Sequence, residues 1–420
     1  MAERGRTGGA RRHDTRALRK IDTRDFHLAT RSTVRDVNRQ IVLNLVRELE
    51  PISRAALARR MAVARGAVTE IVRELIAAGA IYEAPATPAV HGPGRPPTML
   101  RLRTRDQAAI AVDIRPGRTV VALMDFAGRA LARESFATSA SPDDVIAELG
   151  PRLQRMLAPP GPPHRAACHG IGVVVPGMVD RTTGCVLYAP RLGWRDVELE
   201  GRLAAQVAVP VQIESAPIAC ALARLWLAGD DRPDATSFAY VSISDGVGVG
   251  LVAQGDVLRG DSQTAGEFGH ISLDPRGPVC ACGRRGCWEA FVCNAATVDR
   301  YRARIGNSAE GTVTVEEVAR RGLAGERAAI VTLEETGTHV GRGLAAVVNA
   351  FNPGRIFVGG EITAAWPVLR APIQHALAAG ALTSTAQRTV VLPDGSPAEY
   401  RLLGAVALVA APSYAALAVG

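Results

Sequence analysis

Residues 265–291 read AGEFGHISLDPRGPVCACGRRGCWEAF and contain one histidine followed by three closely spaced cysteines. The four candidate metal ligands are His270, Cys280, Cys282 and Cys287. An imidazole and three thiolates are the number and type of ligands that a closed tetrahedral zinc site uses. Gly283 and Gly286 let the backbone bring the sulfurs together. Because four protein ligands leave no open coordination position, the pattern predicts a structural zinc ion, with Cys293 as an alternative ligand.

The composition around this stretch is that of a globular protein. The chain has 420 residues, of which 47% are hydrophobic and 21% charged, and this excludes wholesale disorder. No run of about 20 apolar residues is present, and the basic N-terminal residues lack the apolar segment of a secretory signal. Seven cysteines in such a chain argue against a disulfide framework. We therefore expect a soluble, cytoplasmic protein that does not associate with a membrane.

Positive charge is concentrated in the first quarter of the chain. Residues 1–105 contain 21 Lys and Arg against 10 Asp and Glu, a net charge of +11, whereas the whole chain carries +8. This asymmetry predicts an anion-binding module joined to a near-neutral one. Residues 1–32 have no apolar periodicity and are predicted to form a flexible basic arm. Residues 33–105 are predicted to be a DNA-binding domain.

The pattern of residues 33–105 is typical of a winged helix-turn-helix. Apolar residues at spacings of three and four predict a first helix over Val34–Leu49. Ser53 is a good N-cap for a second helix, and a third helix ends before Gly79. Two short strands, Ile81–Tyr82 and Met99–Arg103, are predicted to flank a wing.

The third helix of this domain is the predicted DNA-reading element. Its outward face carries Arg65, Thr69 and Arg73, residue types that contact guanine edges and thymine methyl groups in the major groove. Arg95 lies at the tip of the proline-rich wing loop, where it suits the minor groove or a phosphate. Ala64 is a weak cap at the start of the helix. The excess positive charge strengthens the interpretation, because neutralising phosphates requires it.

After Arg105 the sequence predicts a larger α/β part built from two similar halves. A first β-meander is predicted over Ala108–Ile114, Thr119–Phe126 and Ala130–Ala137, and a second begins with Ser237–Ile243 and Val247–Ala253. Each meander is followed by alternating helices and strands. The pattern indicates two mixed-sheet lobes around a cleft, which is a natural site for a small molecule.

The motifs of this part resemble, in order, those of the ROK family (repressors, open reading frames and sugar kinases). They are Pro176–Asp180 (PGMVD), Ala189–Trp194 (APRLGW), Gly246–Gly250 (GVGVG), Ala265–His270 (AGEFGH), the cysteine cluster, Glu289 and Asn352–Gly360 (NPGRIFVGG). The winged helix, with Gly94-Arg95-Pro96, is similar to the regulator branch of that family. The resemblance implies an α/β, two-lobed, actin-like ATPase (ribonuclease H-like) fold for a sugar-binding domain over residues 106–420, with the zinc site in its second lobe.

The same resemblance implies a sugar pocket. Glu267, His270 and Glu289 would face the sugar, and His270 would also bind zinc, because a metal-bound imidazole keeps its other nitrogen free for a hydroxyl group. Ser215 and Arg191 are further sugar-binding candidates. Many family members carry asparagine at the position of Arg191. A cation there either favours a phosphorylated or otherwise anionic sugar or turns out to solvent.

Two departures from the family's kinases argue against phosphoryl transfer. The kinases carry an Asp-x-Gly-Gly-Thr loop, but here Arg115 is bulky where glycine admits phosphate, and Pro116 has no N–H to donate. Their general base lies in a Glu-Asn-Asp-x-Asn stretch. Ala216 occupies the aspartate position, and a methyl group cannot accept a proton. We therefore predict no catalytic residue.

These patterns together predict a sugar-responsive transcriptional regulator, namely a repressor of genes for carbohydrate uptake or metabolism. A homodimer or homotetramer would place two winged helices on a pseudo-palindromic double-stranded operator. A sugar, amino sugar or sugar phosphate would bind in the cleft. One alternative is a ROK sugar kinase that phosphorylates hexoses with ATP. The other is a sugar-independent regulator that uses the ROK part only to dimerise or to bind a partner protein.

Overall fold

The computed structural model describes residues 31–85, 98–158, 167–227, 237–306, 313–395 and 397–414. Contacts divide the chain into two compact units, Met1–Leu102 with Tyr414–Gly420 and Arg103–Ser413. The predicted basic arm, up to residue 30, and the predicted wing residue Arg95 lie outside the described residues.

The described part of the first unit consists of helices and one antiparallel sheet. The helices are α1 (Arg31–Leu49), α2 (Arg54–Met61) and α3 (Arg65–Ala77). The strands are β1 (Ile52–Ser53), β2 (Ile81–Pro85) and β3 (Thr98–Leu102), in the order β1-β3-β2. The sequence did not predict β1, which pairs Ile52 with Leu100.

Local sequence explains the turn between α2 and α3. The Ser53 hydroxyl accepts a hydrogen bond from the Ala56 amide at 3.2 Å and so caps α2, as predicted. Helix α2 ends at Met61 and is followed by its C-cap Ala62, whose φ of 55° lies in the left-handed region. The chain then enters α3 directly after Ala64, which offers no side-chain acceptor. The core beneath the helices contains Val42, Val46, Leu57, Val68, Val72, Leu75, Ile81 and Leu100.

The second unit begins with a first lobe of mixed α/β structure. Its strands are β4 (Gln107–Arg115), β5 (Arg118–Asp125), β6 (Ala130–Phe136), β7 (Ala167–Val175), β8 (Met178–Asp180), β9 (Cys185–Ala189), β10 (Trp194–Val197) and β11 (Val211–Ser215). Its helices are α4 (Pro142–Leu157), α5 (Leu199–Ala204) and α6 (Ala216–Trp226). Strands β8, β9 and β10 form a small antiparallel sheet of their own.

The second lobe of this unit carries the strands after residue 237 and most of the helices that follow them. Its strands are β12 (Phe238–Ile243), β13 (Val247–Ala253), β14 (Asp256–Val257), β15 (Arg355–Gly359) and β16 (Val390–Pro393). Its helices are α7 (Trp288–Val292), α8 (Asn294–Ile305), α9 (Val315–Leu323), α10 (Arg327–Phe351), α11 (Trp366–Gly380) and α12 (Ser384–Gln387). The helix α13 (Pro397–Tyr414) packs against β7 of the first lobe, where Ala405 lies next to Gly172. Short 3₁₀ helices span Phe268–His270 and Glu361–Ala365.

The two large sheets of the second unit have the same topology. In each, three consecutive antiparallel strands are followed by two strands that join in parallel, giving the orders β6-β5-β4-β7-β11 and β14-β13-β12-β15-β16. The prediction of two mixed-sheet lobes, each opening with a β-meander, is confirmed. Among the described residues, no helix has the length and apolarity that crossing a bilayer requires.

Packing in the second lobe fixes the position of α7. Trp288 is fully buried, and its indole N–H donates to the His339 carbonyl at 3.0 Å. The indole lies against α10 at Gly343, where an added Cβ would come within 1.9 Å of it. Glu289 is the next residue along α7, so the seating of Trp288 decides where this carboxylate points.

Replacing Gly343 by alanine is therefore expected to lower the free energy of unfolding by about 1–3 kcal/mol, because a methyl group forced into a packed core strains its neighbours. Urea denaturation followed by tryptophan fluorescence measures the change. Gly201→Ala in α5 is the control, since its added Cβ meets no described atom within 4 Å. That variant should be as stable as the parent or slightly more so. Equal stability of the two variants would contradict the proposed packing.

Candidate functional site

A cavity lies in the cleft between the two lobes of the second unit. Its first-lobe lining is Arg115, Pro116, Pro176, Gly177, Met178, Tyr188, Pro190, Arg191, Ala216 and Pro217. The remainder of the lining is Ser242, Ser244, Asp245, Gly246, Val247, Gly248, Glu267, His270, Glu289 and Arg401. The wall therefore combines apolar surface with carboxylates, guanidinium groups and one imidazole.

Glu267 and His270 enter this cavity from one tight segment. Gly266 adopts a φ of 106°, and an added Cβ would lie 2.2 Å from the Val249 carbonyl oxygen, so only glycine allows the chain to pass here. The 3₁₀ turn that follows places His270 Nε2 3.9 Å from Glu267 Oε2. Burial raises the pKa of Glu267, and the neighbouring His270 offsets part of that rise.

The four predicted metal ligands converge next to the cavity. The ligand atoms of His270, Cys280, Cys282 and Cys287 all lie within 4.8 Å of one another. The gap between His270 Nδ1 and Cys280 Sγ is 3.8 Å, and that between the sulfurs of Cys282 and Cys287 is 3.7 Å. A tetrahedral ion about 2.3 Å from each thiolate separates the sulfurs by about 3.8 Å. The cluster is thus placed to hold a metal ion.

Two further observations fit a metal at this cluster. All seven cysteines lie among the described residues and are free thiols. Gly286 has a φ of 70°, and an added Cβ would come within 1.6 Å of the Asp274 carbonyl oxygen, which shows how tightly the cysteine loop is folded. Burial raises the pKa of Cys280 to about 12. A bound cation would have to displace that proton.

His270 joins the metal cluster to the cavity. Its Nδ1 faces Cys280, whereas its Nε2 faces Glu267 in the cavity wall. One imidazole nitrogen is therefore available to a metal while the other is available to a ligand.

Glu289 also contacts both features. The residue is 8% exposed, and its Oε2 accepts a hydrogen bond from the Val247 amide at 2.9 Å. Its Oε1 lies 3.6 Å from Cys280 Sγ. The carboxylate is thus held between the glycine-rich turn before β13 and the cysteine loop, and it lines the cavity.

The other predicted sugar-binding residues lie at the edge of the cavity. Arg191 is exposed on the turn between β9 and β10, lines the cavity, and places its Nη2 3.9 Å from Cys293 Sγ. Cys293, the alternative metal ligand, is thus directed to Arg191, and the metal cluster consists of the other four groups. Ser215 is 7% exposed and is not among the residues that line the cavity, although the next residue, Ala216, is.

A network of charged side chains in the cavity was not predicted from the sequence. Asp113 is almost fully buried and accepts hydrogen bonds from Arg115 Nε at 2.6 Å and Arg401 Nε at 2.5 Å. Arg115 Nη1 also donates to Glu361 Oε1 at 3.2 Å. Burial would raise the pKa of Glu361, but hydrogen bonds from Ser244 and other partners outweigh it and lower the pKa. Glu361 is therefore held as a carboxylate.

Asp245 also lines the cavity and was not predicted from the sequence. It lies in the turn between β12 and β13 and lines the cavity. Burial and the charge of Glu361 raise its pKa, while Arg191 and Arg115 oppose the rise. The sequence feature that could have identified Asp245 is its position directly before the first glycine of the Gly-Val-Gly-Val-Gly motif.

In the first unit, α3 exposes the predicted DNA-reading side chains. Arg65, Thr69 and Arg73 follow one another at four-residue intervals and so share a face of the helix. Arg65 and Arg73 are exposed. Thr69 is half-buried, and its hydroxyl donates to the Arg65 carbonyl at 2.8 Å, so its methyl group is the free contact surface.

The sequence is similar to those of known proteins over most of its length. The family model described as "ROK family" matches residues 109–411, more than half of the chain. The chain is 29% identical over 394 residues to the DNA-binding transcriptional dual regulator NagC of Escherichia coli K12, covering 90% of this chain and 93% of that protein. It is 25% identical over 342 residues to the xylose repressor of Bacillus subtilis 168, covering 81% and 86%.

A solved structure extends the similarity to the whole architecture. The crystal structure described as a ROK family transcriptional regulator, homolog of the E. coli MLC protein, superposes with a TM-score of 0.73 at 26% sequence identity. The superposition covers 90% of this chain and 97% of that one. The likeness therefore includes residues outside the segment that the family model matches.

Proposed function

The chain belongs to the ROK family, and on that premise we propose that it is a sugar-responsive transcriptional repressor of carbohydrate uptake or metabolism genes. The observation that carries the proposal is the cleft cavity, in which two carboxylates and an imidazole face a space bordered by Ala216. Carboxylates accept hydrogen bonds from sugar hydroxyls, and the methyl group of Ala216 cannot accept a hydroxyl proton at the position where the family's kinases carry their general base. The cavity suits binding without chemistry.

We propose the following ligand contacts. Glu267, His270 Nε2 and Glu289 would bind hydroxyl groups, and Arg191 would contact the ligand at the mouth; Ser215, behind Ala216, would support the wall without lining the cavity. The effector would be a sugar, an amino sugar or a sugar phosphate. The exposed guanidinium of Arg191 supports the anionic form, because it is the cavity cation without a carboxylate partner within bonding distance among the described residues.

The metal in this proposal is a structural zinc ion held by His270, Cys280, Cys282 and Cys287. Three sulfurs and one nitrogen form a closed coordination set, so the ion would supply rigidity to the loop. Its effect on the ligand would pass through His270 and through Cys280, which contacts Glu289.

The proposed DNA-binding domain spans residues 33–105 and precedes a sugar-binding domain over 106–420. Arg65, Thr69 and Arg73 would read bases in the major groove, and Arg95 would contact the minor groove or a phosphate. A homodimer or homotetramer would present two such helices to an operator. A coupling of about 1–3 kcal/mol between the sugar site and the DNA site would change operator affinity roughly 5- to 150-fold.

A thermal-shift screen of sugars, amino sugars and their 6-phosphates tests the proposal. A ligand present at about one hundred times its Kd is expected to stabilise the parent protein by about 2.7 kcal/mol. Glu289→Gln should weaken binding of that ligand at least tenfold, since the charged acceptor is lost. Glu316→Gln, an exposed carboxylate in α9, is the matched control and should bind like the parent.

Three results would contradict this function. They are the absence of any stabilising sugar, parental affinity in Glu289→Gln, and turnover of ATP with any hexose above background. The last would favour the sugar-kinase alternative, and the first would favour a sugar-independent regulator.

A further inference from the structure

Arg115 joins the two lobes of the second unit through its side chain. It is the last residue of β4 in the first lobe, where its Nε donates to Asp113 on the same strand. Its Nη1 donates to Glu361 at 3.2 Å, and Glu361 begins the 3₁₀ helix that follows β15 in the second lobe. A single guanidinium group thus bridges carboxylates from opposite walls of the cleft.

Both carboxylates are held from behind by other groups. The second oxygen of Asp113 accepts from Arg401 Nε, whose Nη2 donates to the Ile114 carbonyl at 3.0 Å. The second oxygen of Glu361 accepts from Ser244 at 2.6 Å and from Asn294 at 3.0 Å. Because each carboxylate is fixed independently of Arg115, the guanidinium sits between two preorganised anions.

The burial of this bridge makes it more than a surface ion pair. The side chain of Asp113 is 2% exposed, that of Arg115 21% and that of Glu361 19%. Surface ion pairs contribute little because water screens them. A partly buried pair that loses one partner leaves a charge without compensation, so opening the cleft here is costly.

The position of the bridge indicates its role. Asp113 to Gly117 stands where the family's kinases carry Asp-x-Gly-Gly-Thr, whose glycines leave room for phosphate. Here the Arg115 side chain occupies the space that those glycines leave open, and its guanidinium group points to the loop that follows Gly359-Gly360. Asp245, in the turn between β12 and β13, adds a further carboxylate whose charge interacts with Glu361 and Arg115.

Resting on the proposed function of this cavity, we propose that Arg115 is a positioning residue that ties the two cavity walls together in place of a nucleotide. The Arg115–Glu361 pair then holds the lobes in register without a nucleotide. A second pair supports the same closure, since Arg259, in the loop after β14, lies 2.6 Å from Glu214 at the end of β11. A sugar entering the cavity therefore meets walls that are already joined.

Hydrogen–deuterium exchange of the ligand-free protein tests this contact between the two cavity walls. Arg115→Met and Glu361→Gln are each expected to raise amide exchange in the 3₁₀ helix Glu361–Ala365 at least tenfold. The double variant should exchange no faster than the faster single variant, because both substitutions break the same contact. Arg118→Met, an exposed arginine at the start of β5, is the matched control and should leave exchange unchanged.

Two further measurements separate positioning from a general loss of structure. Exchange in α3 and in the core of β12 should remain at the parental rate, whereas a folding defect would raise exchange there too. Arg115→Lys, which keeps the charge but lacks the fork that reaches two carboxylates, should give an intermediate rate. If Arg115→Met proves unstable, Arg115→Lys and Glu361→Gln decide the question.

The proposal is overturned by parental exchange in Arg115→Met, by additive effects in the double variant, or by protection of the parent cleft on adding magnesium and AMPPNP. Because these experiments use neither sugar nor DNA, they can fail while the sugar-binding function stands. A failed sugar screen would likewise leave the exchange result intact.

Discussion

A variant with Arg65→Ala and Arg73→Ala is expected to lose specific DNA binding. Each arginine is exposed on α3 and can donate two hydrogen bonds to one guanine, an interaction that contributes about 1–3 kcal/mol. Removing both should reduce operator affinity by a factor between about thirty and more than ten thousand. The measurement is fluorescence anisotropy on a sequence that the parent protein selects from a random duplex library.

The control for this experiment removes the same two charges elsewhere. Arg118→Ala with Arg302→Ala takes both from exposed positions of the second unit and should leave operator affinity within about twofold of the parent. The salt dependence of binding supplies an independent check: losing base contacts should leave its slope nearly unchanged, whereas each lost phosphate contact would lower the slope by about one. Parental affinity in the α3 variant would show that this helix does not read the operator.

The helices of the first unit could be predicted because their signals are local. The apolar spacing in α1, the Ser53 cap of α2 and the glycine after α3 each act within a few residues. Strand β1 was missed for the opposite reason. Two residues carry no periodicity of their own, and Ile52 becomes a strand residue only by pairing with Leu100, which is distant in sequence.

In the candidate site, too, features made by residues close in sequence could be predicted and features made by distant residues could not. The convergence of four potential metal ligands could be predicted because three of the four lie within eight positions and their residue types are chemically specific. The network around Arg115 was not, since Arg115 and Glu361 are 246 positions apart, and Asp113 and Arg401 are 288 apart. Only the tertiary fold brings these charges together. The sequence showed that Arg115 stands where the kinase loop has a glycine, but it did not show which residues Arg115 contacts.

Replacing Cys280 by serine is the substitution with the largest expected effect on the second unit. Cys280 contacts His270 on the side of the candidate metal cluster and Glu289 on the cavity side, so its replacement removes a proposed metal ligand and a neighbour of the proposed sugar-binding carboxylate at once. Structural zinc in small peptides contributes about 10–16 kcal/mol to folding at pH 7. A larger lobe with its own core depends on the ion less, yet the cysteine loop should not keep its fold.

The expected result is a fall in metal content, measured by plasma mass spectrometry, from about one zinc per chain to near zero. Sugar affinity should fall with it, because His270 and Glu289 lose the support that sets their positions. Cys293→Ser is the matched control: this thiol is also buried but is directed to Arg191, so its replacement should leave zinc content at the parental level. If Cys280→Ser lost zinc but bound sugar as the parent does, the metal would serve the loop alone and the proposed link through His270 would be wrong.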